Sequence, residues 1–143
     1  MITPTFLNHP ITVKEAAGMQ LISTREAPRA IGPYSQAIAS DGWIFTSGQI
    51  PMTATGAGVR GSIKEQTEQV FNNLEAILTE AGSSLAGVVA VTVFMIDLEE
   101  FADMNEVFAR RFGPHRPART TVQVAALPTG AGVEINAIAR SQA

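Results

Sequence analysis

Two runs near the C-terminus hold the residues best suited to chemistry. In Arg116-Pro117-Ala118-Arg119-Thr120-Thr121-Val122-Gln123-Val124 the side chains alternate with a period of two, so Arg119, Thr121 and Gln123 share one face of a strand and Thr120, Val122 and Val124 the other. In Val133-Glu134-Ile135-Asn136-Ala137 the same alternation separates Glu134 and Asn136 from Val133, Ile135 and Ala137. A guanidinium and a carboxylate are therefore expected on neighbouring sheet elements. Scattered charges on an exposed strand pair are the ordinary reading of such residues. Here the neighbours are small or β-branched, the chain has only ten basic residues, and Pro117 stiffens the entry to the strand. A guanidinium fixed in this way suits bidentate capture of a carboxylate or phosphate, and Glu134 nearby is suited to handling protons or positioning a water.

Other polar residues narrow the chemistry. Ser47 precedes Gly48 at a strand end, where a hydroxyl and adjacent backbone N–H groups can face a ligand. Without a histidine to activate it, Ser47 is no hydrolase nucleophile, and a strand-end serine bonding its own backbone is the plainer alternative. Tyr34, the sole tyrosine, follows Gly32-Pro33 and either walls a pocket or packs with its hydroxyl at the surface. His9 and His115 are the only histidines, and neither has a metal-ligand spacing. The chain has no cysteine, which removes thiol chemistry and cysteine-ligated zinc. Thr55 to Gly61 is glycine-rich but lacks the strand and acidic residue of a dinucleotide site, so it reads as a loop.

These residues have to be held by one domain, since 143 residues suffice for a single core without staples. A net charge of −3 and the absence of a basic stripe weigh against a nucleic-acid surface. With 45% hydrophobic and only 16% charged residues, the chain is apolar for a monomer, which hints at buried subunit contacts. No run approaches a membrane span. Met1 to Gly18 lacks the features of a secretory or transit signal, so a soluble cytoplasmic protein is expected, with residues 1–18 an N-terminal extension and residues 19–143 the domain.

Alternation over Gln20 to Thr24 predicts a first strand, and Asp41-Gly42 predicts a hairpin between strands at Ser35 to Ser40 and Trp43 to Ser47. Ser62 and Glu65 form a capping box before Val70, Phe71, Leu74, Ile77 and Leu78 at helical spacing, with Gly82 as the stop. Val88 to Ile96 reads as a central strand buried on both faces. Asp97, with Glu100 three residues on, starts a second helix carrying Phe101, Met104, Phe108 and Phe112 on one stripe; Asn105 lies on it. The order predicts an α+β fold, a mixed sheet with both helices on one face. Its other face lacks cover, and self-association supplies it economically.

Five ordered blocks, Ala30 to Ala37 (AIGPYSQA), Thr46 to Pro51 (TSGQIP), Thr92 to Leu98 (TVFMIDL), Phe101 to Asn105 (FADMN) and Pro117 to Val122 (PARTTV), resemble the signatures of the reactive-intermediate deaminase family (Rid, YjgF-like). The resemblance runs from about Met19 to the end of the chain. It implies a trimer of chorismate-mutase-like subunits with pockets between them, which hydrolyse 2-imino acids or their enamine tautomers to 2-keto acids and ammonia without metal or organic cofactor. By the same resemblance Arg119 binds the substrate carboxylate and Glu134 orients or deprotonates the water. Asn105 supports the pocket, and Tyr34, Ser47 and Gly48 line it. Thr121 stands where some members carry cysteine. The chemistry suits the residues, because an imine is already electrophilic and asks only for an anchored carboxylate, a placed water and one managed proton. A non-catalytic module binding a keto acid at the same pocket is the alternative. RNA cleavage, reported for some relatives, sits poorly with the acidic balance.

If the last two strands form a hairpin about Pro128 to Ala131, Glu134 falls opposite the neighbourhood of Val124 and Arg119 opposite that of Ala139. The two groups then stand on the order of 15 Å apart, too far to share one small substrate. Either two subunits each supply one group, or the pairing departs from this hairpin.

Overall fold

A computed structural model describes residues 18–142. Six strands, β1 (Met19–Ile22), β2 (Ala37–Ser40), β3 (Trp43–Thr46), β4 (Val88–Met95), β5 (Ala118–Gln123) and β6 (Val133–Arg140), and two helices, α1 (Ile63–Glu80) and α2 (Phe101–Phe112), follow the predicted order. The hairpin of β2 and β3 turns at Asp41 and Gly42, both at positive φ, the geometry a two-residue hairpin loop requires. The Ser62 side chain accepts from the Glu65 N–H and Glu65 returns a bond to Ser62, so α1 begins where the capping box predicts. The start of α2 differs. Asp97 caps a 3-10 turn over Leu98–Glu100, and the α-helix begins only at Phe101.

The sheet order is β1-β2-β3-β6-β4-β5. Only β4 and β5 run parallel, joined by the crossover through α2, as a parallel pair requires. The expected hairpin of β5 and β6 is therefore overturned. β4 lies between them, paired with β6 from Val88 to Met95 and with β5 from Ala90 to Met95. Once α2 has returned the chain to the free edge of β4, the connection from Val124 to Gly132 carries it past β4 to the far side.

Both helices cover one face. Val70, Phe71, Leu74, Ile77 and Leu78 of α1 and Met104, Val107, Phe108 and Phe112 of α2 close a single core over Ile44, Val91, Val93, Met95, Val133 and Ile135. Phe71 meets Phe108 and Phe112 edge to face at 5.7 and 5.5 Å. The predicted burial of β4 on both faces is corrected: Val91, Val93 and Met95 are buried, whereas Thr92 and Phe94 on the opposite side are half exposed. On that open face Leu21, Ile38, Phe45, Ile138, Ala90 and Ala118 align in one row across all six strands, with Phe45 46% and Ile138 36% exposed. No helix among the described residues is long and apolar enough to cross a membrane.

Candidate functional site

Ladder pairing puts Arg119 in one row with Val91 and Ala137, both buried. Its side chain thus points to the helix side, at the sheet edge that β5 forms. There its Nη1 donates to Asn105 Oδ1 at 2.6 Å, and its guanidinium carbon stands over the Phe101 and Phe108 rings, 5.3 and 4.6 Å from their centroids. Partial burial lowers the Arg119 pKa from its ordinary value, but a guanidinium stays charged at any working pH. Thr121, two residues along the same face, has a buried hydroxyl with no hydrogen-bond partner, an unusual state for a buried polar atom.

Glu134 lies in the row of Phe94 and Val122, on the open face. Desolvation raises its carboxyl pKa, and neither it nor Arg119 forms an ion pair among the described residues. Gly48 is pressed against it. A Cβ at Gly48 would collide with Oε2 and stand 2.9 Å from Cδ. The approach is set by the bridge between Gln49 and Ile135, which draws the end of β3 against β6. Gly48 also borders a cleft of about 380 Å³ whose walls include Ile31, Tyr34, Ile50, Met52 and Pro128.

Tyr34 is 54% exposed and its hydroxyl oxygen accepts from the Ile31 N–H at 3.3 Å, so it walls the cleft with its ring. Ser47 Oγ donates to the Ser35 carbonyl at 2.6 Å. The bond goes to backbone, as the plainer expectation has it, but to a carbonyl on the neighbouring segment and not to the serine's own. The neighbouring N–H groups of Ser47 and Gln49 bond Gln36 and Ile135 carbonyls, whereas that of Gly48 makes no hydrogen bond among the described residues. His115 Nε2 lies 2.6 Å from the Val88 carbonyl, tying the loop before β5 to the start of β4. His9 lies outside the described residues.

The candidate residues therefore fall into two groups within one chain. Arg119, Asn105 and Thr121 gather on the helix side at the β5 edge, and Glu134, Gly48 and Tyr34 gather at the open face beside the cleft. The Arg119 and Glu134 backbones are three residues apart along the ladder and two strand spacings apart across it, roughly 14 Å in all, and their side chains leave opposite faces. The expectation of neighbouring strands is corrected, because β4 separates them. The sequence pattern places Phe101 and Phe108 on a core stripe of α2. Asn105 four residues after one and three before the other on α2 was the available signal that this stripe borders a polar group.

The family described as Endoribonuclease L-PSP matches residues 24–141. A RutC family protein of Pyrococcus abyssi is 52% identical over 84% of this chain and 95% of its own. The 2-iminobutanoate/2-iminopropanoate deaminase of Bos taurus is 46% identical over 84% of this chain and 88% of its own. The crystal structure of E. coli TdcF with bound serine covers 86% of this chain and 99% of that one, with 39% identity and a TM-score of 0.82. Among the described residues no group of three or more His, Cys, Asp or Glu could hold a metal ion. Matched over most of its length by sequence and fold, with relatives that carry deaminase names, the chain belongs to the Rid (YjgF-like, Endoribonuclease L-PSP) family.

Proposed function

We propose that the protein hydrolyses 2-imino acids to 2-keto acids and ammonia at sites assembled from two subunits of a homotrimer. The observation that carries this reading is a guanidinium and a carboxylate, neither ion-paired among the described residues, that leave opposite faces of one sheet. Partly buried charges of both signs without a counter-ion favour a ligand or a second copy that meets them. A small 2-imino acid bridges them. Its carboxylate docks on Arg119 of one subunit, beside Asn105 and Thr121, and its imine carbon faces Glu134 of the neighbour. Tyr34 flanks the substrate, Gly48 offers a backbone N–H and room for the Glu134 carboxylate, and Ser47 holds that strand end in place through Ser35.

The protonated imine needs no activation beyond this. Glu134 takes a proton from a water as its oxygen bonds to the imine carbon, giving a tetrahedral aminoalcohol. The same carboxyl returns the proton to nitrogen; as the C–N bond breaks it takes the hydroxyl proton, closing the keto group, and passes that proton to the departing ammonia, so that one water is consumed and one keto acid and one ammonium are released. Desolvation of Glu134 makes it a stronger base than a solvated carboxylate, as general-base work at neutral pH asks.

The test feeds imine to the purified protein from an amino-acid oxidase and follows keto-acid release. Wild type accelerates it. Arg119→Ala loses at least about a hundredfold, and Arg119→Lys recovers little because a point charge cannot make the bidentate pair. Tight keto-acid binding with no acceleration would leave the pocket a non-catalytic binding module instead.

A further inference from the structure

Two arginines beside the same aromatic cluster are treated in opposite ways. Arg111 stands over the Phe71 ring at 5.5 Å and is also saturated with acid, donating to Glu68 at 2.8 Å and Glu75 at 3.1 Å. Arg119 stands over two rings and its side-chain partner is a neutral amide. A half-buried guanidinium left to wander would lose affinity for a ligand through the cost of ordering it. A carboxylate partner would fix it but would occupy the donors and cancel the charge that an incoming carboxylate must find. Ring faces attract the cation through their quadrupole and take no N–H. Asn105 accepts at Nη1 alone, which leaves the Nη2 and Nε side for a bidentate ligand.

We propose that Phe101 and Phe108 are positioning residues, whose ring faces aim the Arg119 guanidinium at a substrate carboxylate while supplying no anion to compete for it. This rests on the reading of Arg119 as the carboxylate anchor. The two rings divide the work differently. Phe108 is buried in the core against Phe71 and Phe112, whereas Phe101 is only partly buried, packed at the core's margin, and serves the guanidinium with less else at stake.

Phe101 and, separately, Phe108 are replaced by phenylalanines carrying one, two and three ring fluorines, which weaken the face potential while nearly keeping shape. The readouts are KM and kcat for imine hydrolysis, the dissociation constant of 2-oxobutanoate and the melting temperature. KM and the dissociation constant should climb together with fluorine number, about threefold to tenfold for the trifluoro ring, at near-constant kcat and Tm, since an interaction present equally in ground and transition states moves KM. In an Arg119→Ala background the climb in the 2-oxobutanoate dissociation constant should vanish. Flat KM and dissociation constants across both series, with Arg119→Ala inactive, would overturn the positioning role and leave the anchor standing. If Arg119→Ala itself hydrolyses imine and binds 2-oxobutanoate normally, the anchor reading fails first. Phe101→Leu at a KM unchanged from wild type, with Phe108→Leu losing only Tm, would likewise reduce both rings to packing.

Discussion

A carboxyl group with no cation beside it, partly withdrawn from water, gives up its proton later than a solvated one. Among the described residues Glu134 is in that state, its pKa raised by desolvation, and this ties catalysis to stability. Because the folded chain holds the Glu134 proton to higher pH than the unfolded chain, stability from this group is fully present below the unfolded pKa and is lost as pH rises through the folded one. Activity has the reverse sign, since the base works only when ionised. The acid limb of kcat/KM is therefore expected above the ordinary glutamate range. Glu134→Gln should lose about 10²- to 10⁴-fold in kcat/KM, while raising the melting temperature at pH 7 relative to wild type and leaving it nearly unchanged at pH 4. Melting curves at the two pH values check this. Equal shifts at both would disconnect the stability effect from ionisation.

At the scale of elements, the end of β3 and the start of β6 meet so closely that only a residue without a Cβ leaves room for the Glu134 carboxylate. Gly48→Ala should displace that flexible side chain with little loss of stability, since the colliding atom is its far end, and should cut kcat/KM by an order of magnitude or more. A Tm drop of many degrees would show instead that the backbone gave way. The close approach was not legible in the sequence, because it depends on the long-range bridge between Gln49 and Ile135. Features written in adjacent residues were legible: the Asp41-Gly42 turn, the Ser62 and Glu65 box, the stripe of α2 and the alternation of β5 and β6 all formed as their local patterns demand. Which strands lie side by side is a different kind of information. The short Pro- and Gly-containing link after β5 has the composition of a hairpin turn, yet parallel pairing with β4, imposed by the α2 crossover, takes precedence. Arg119 and Glu134 could therefore be picked out by type and spacing, but not the opposite faces from which they project.

For the whole molecule, the open face carries an apolar row across all six strands, and burying it against other copies would stabilise an assembly by the ordinary hydrophobic term. We expect a chain starting at Met19 to keep that assembly and its activity, measured by light scattering and imine turnover, because residues 1–18 precede every residue assigned to the site. The sharper expectation concerns which chains meet at each site. Arg119→Ala subunits retain Glu134, and Glu134→Ala subunits retain Arg119, so each homotrimer alone is inactive under the proposed mechanism. After subunit exchange in equal proportions, a site built across an interface is intact whenever an Arg119-bearing half meets a Glu134-bearing half in the correct order. In random trimers that occurs at about a quarter of the interfaces. Recovery of about a quarter of wild-type turnover is thus expected, rising and falling with the product of the two fractions as the mixing ratio changes. A site confined to one chain has no route to recovery at any ratio, and mixtures that stay inactive after exchange is verified by mass would refute the shared site while leaving the roles of the two residues to be judged from the single variants.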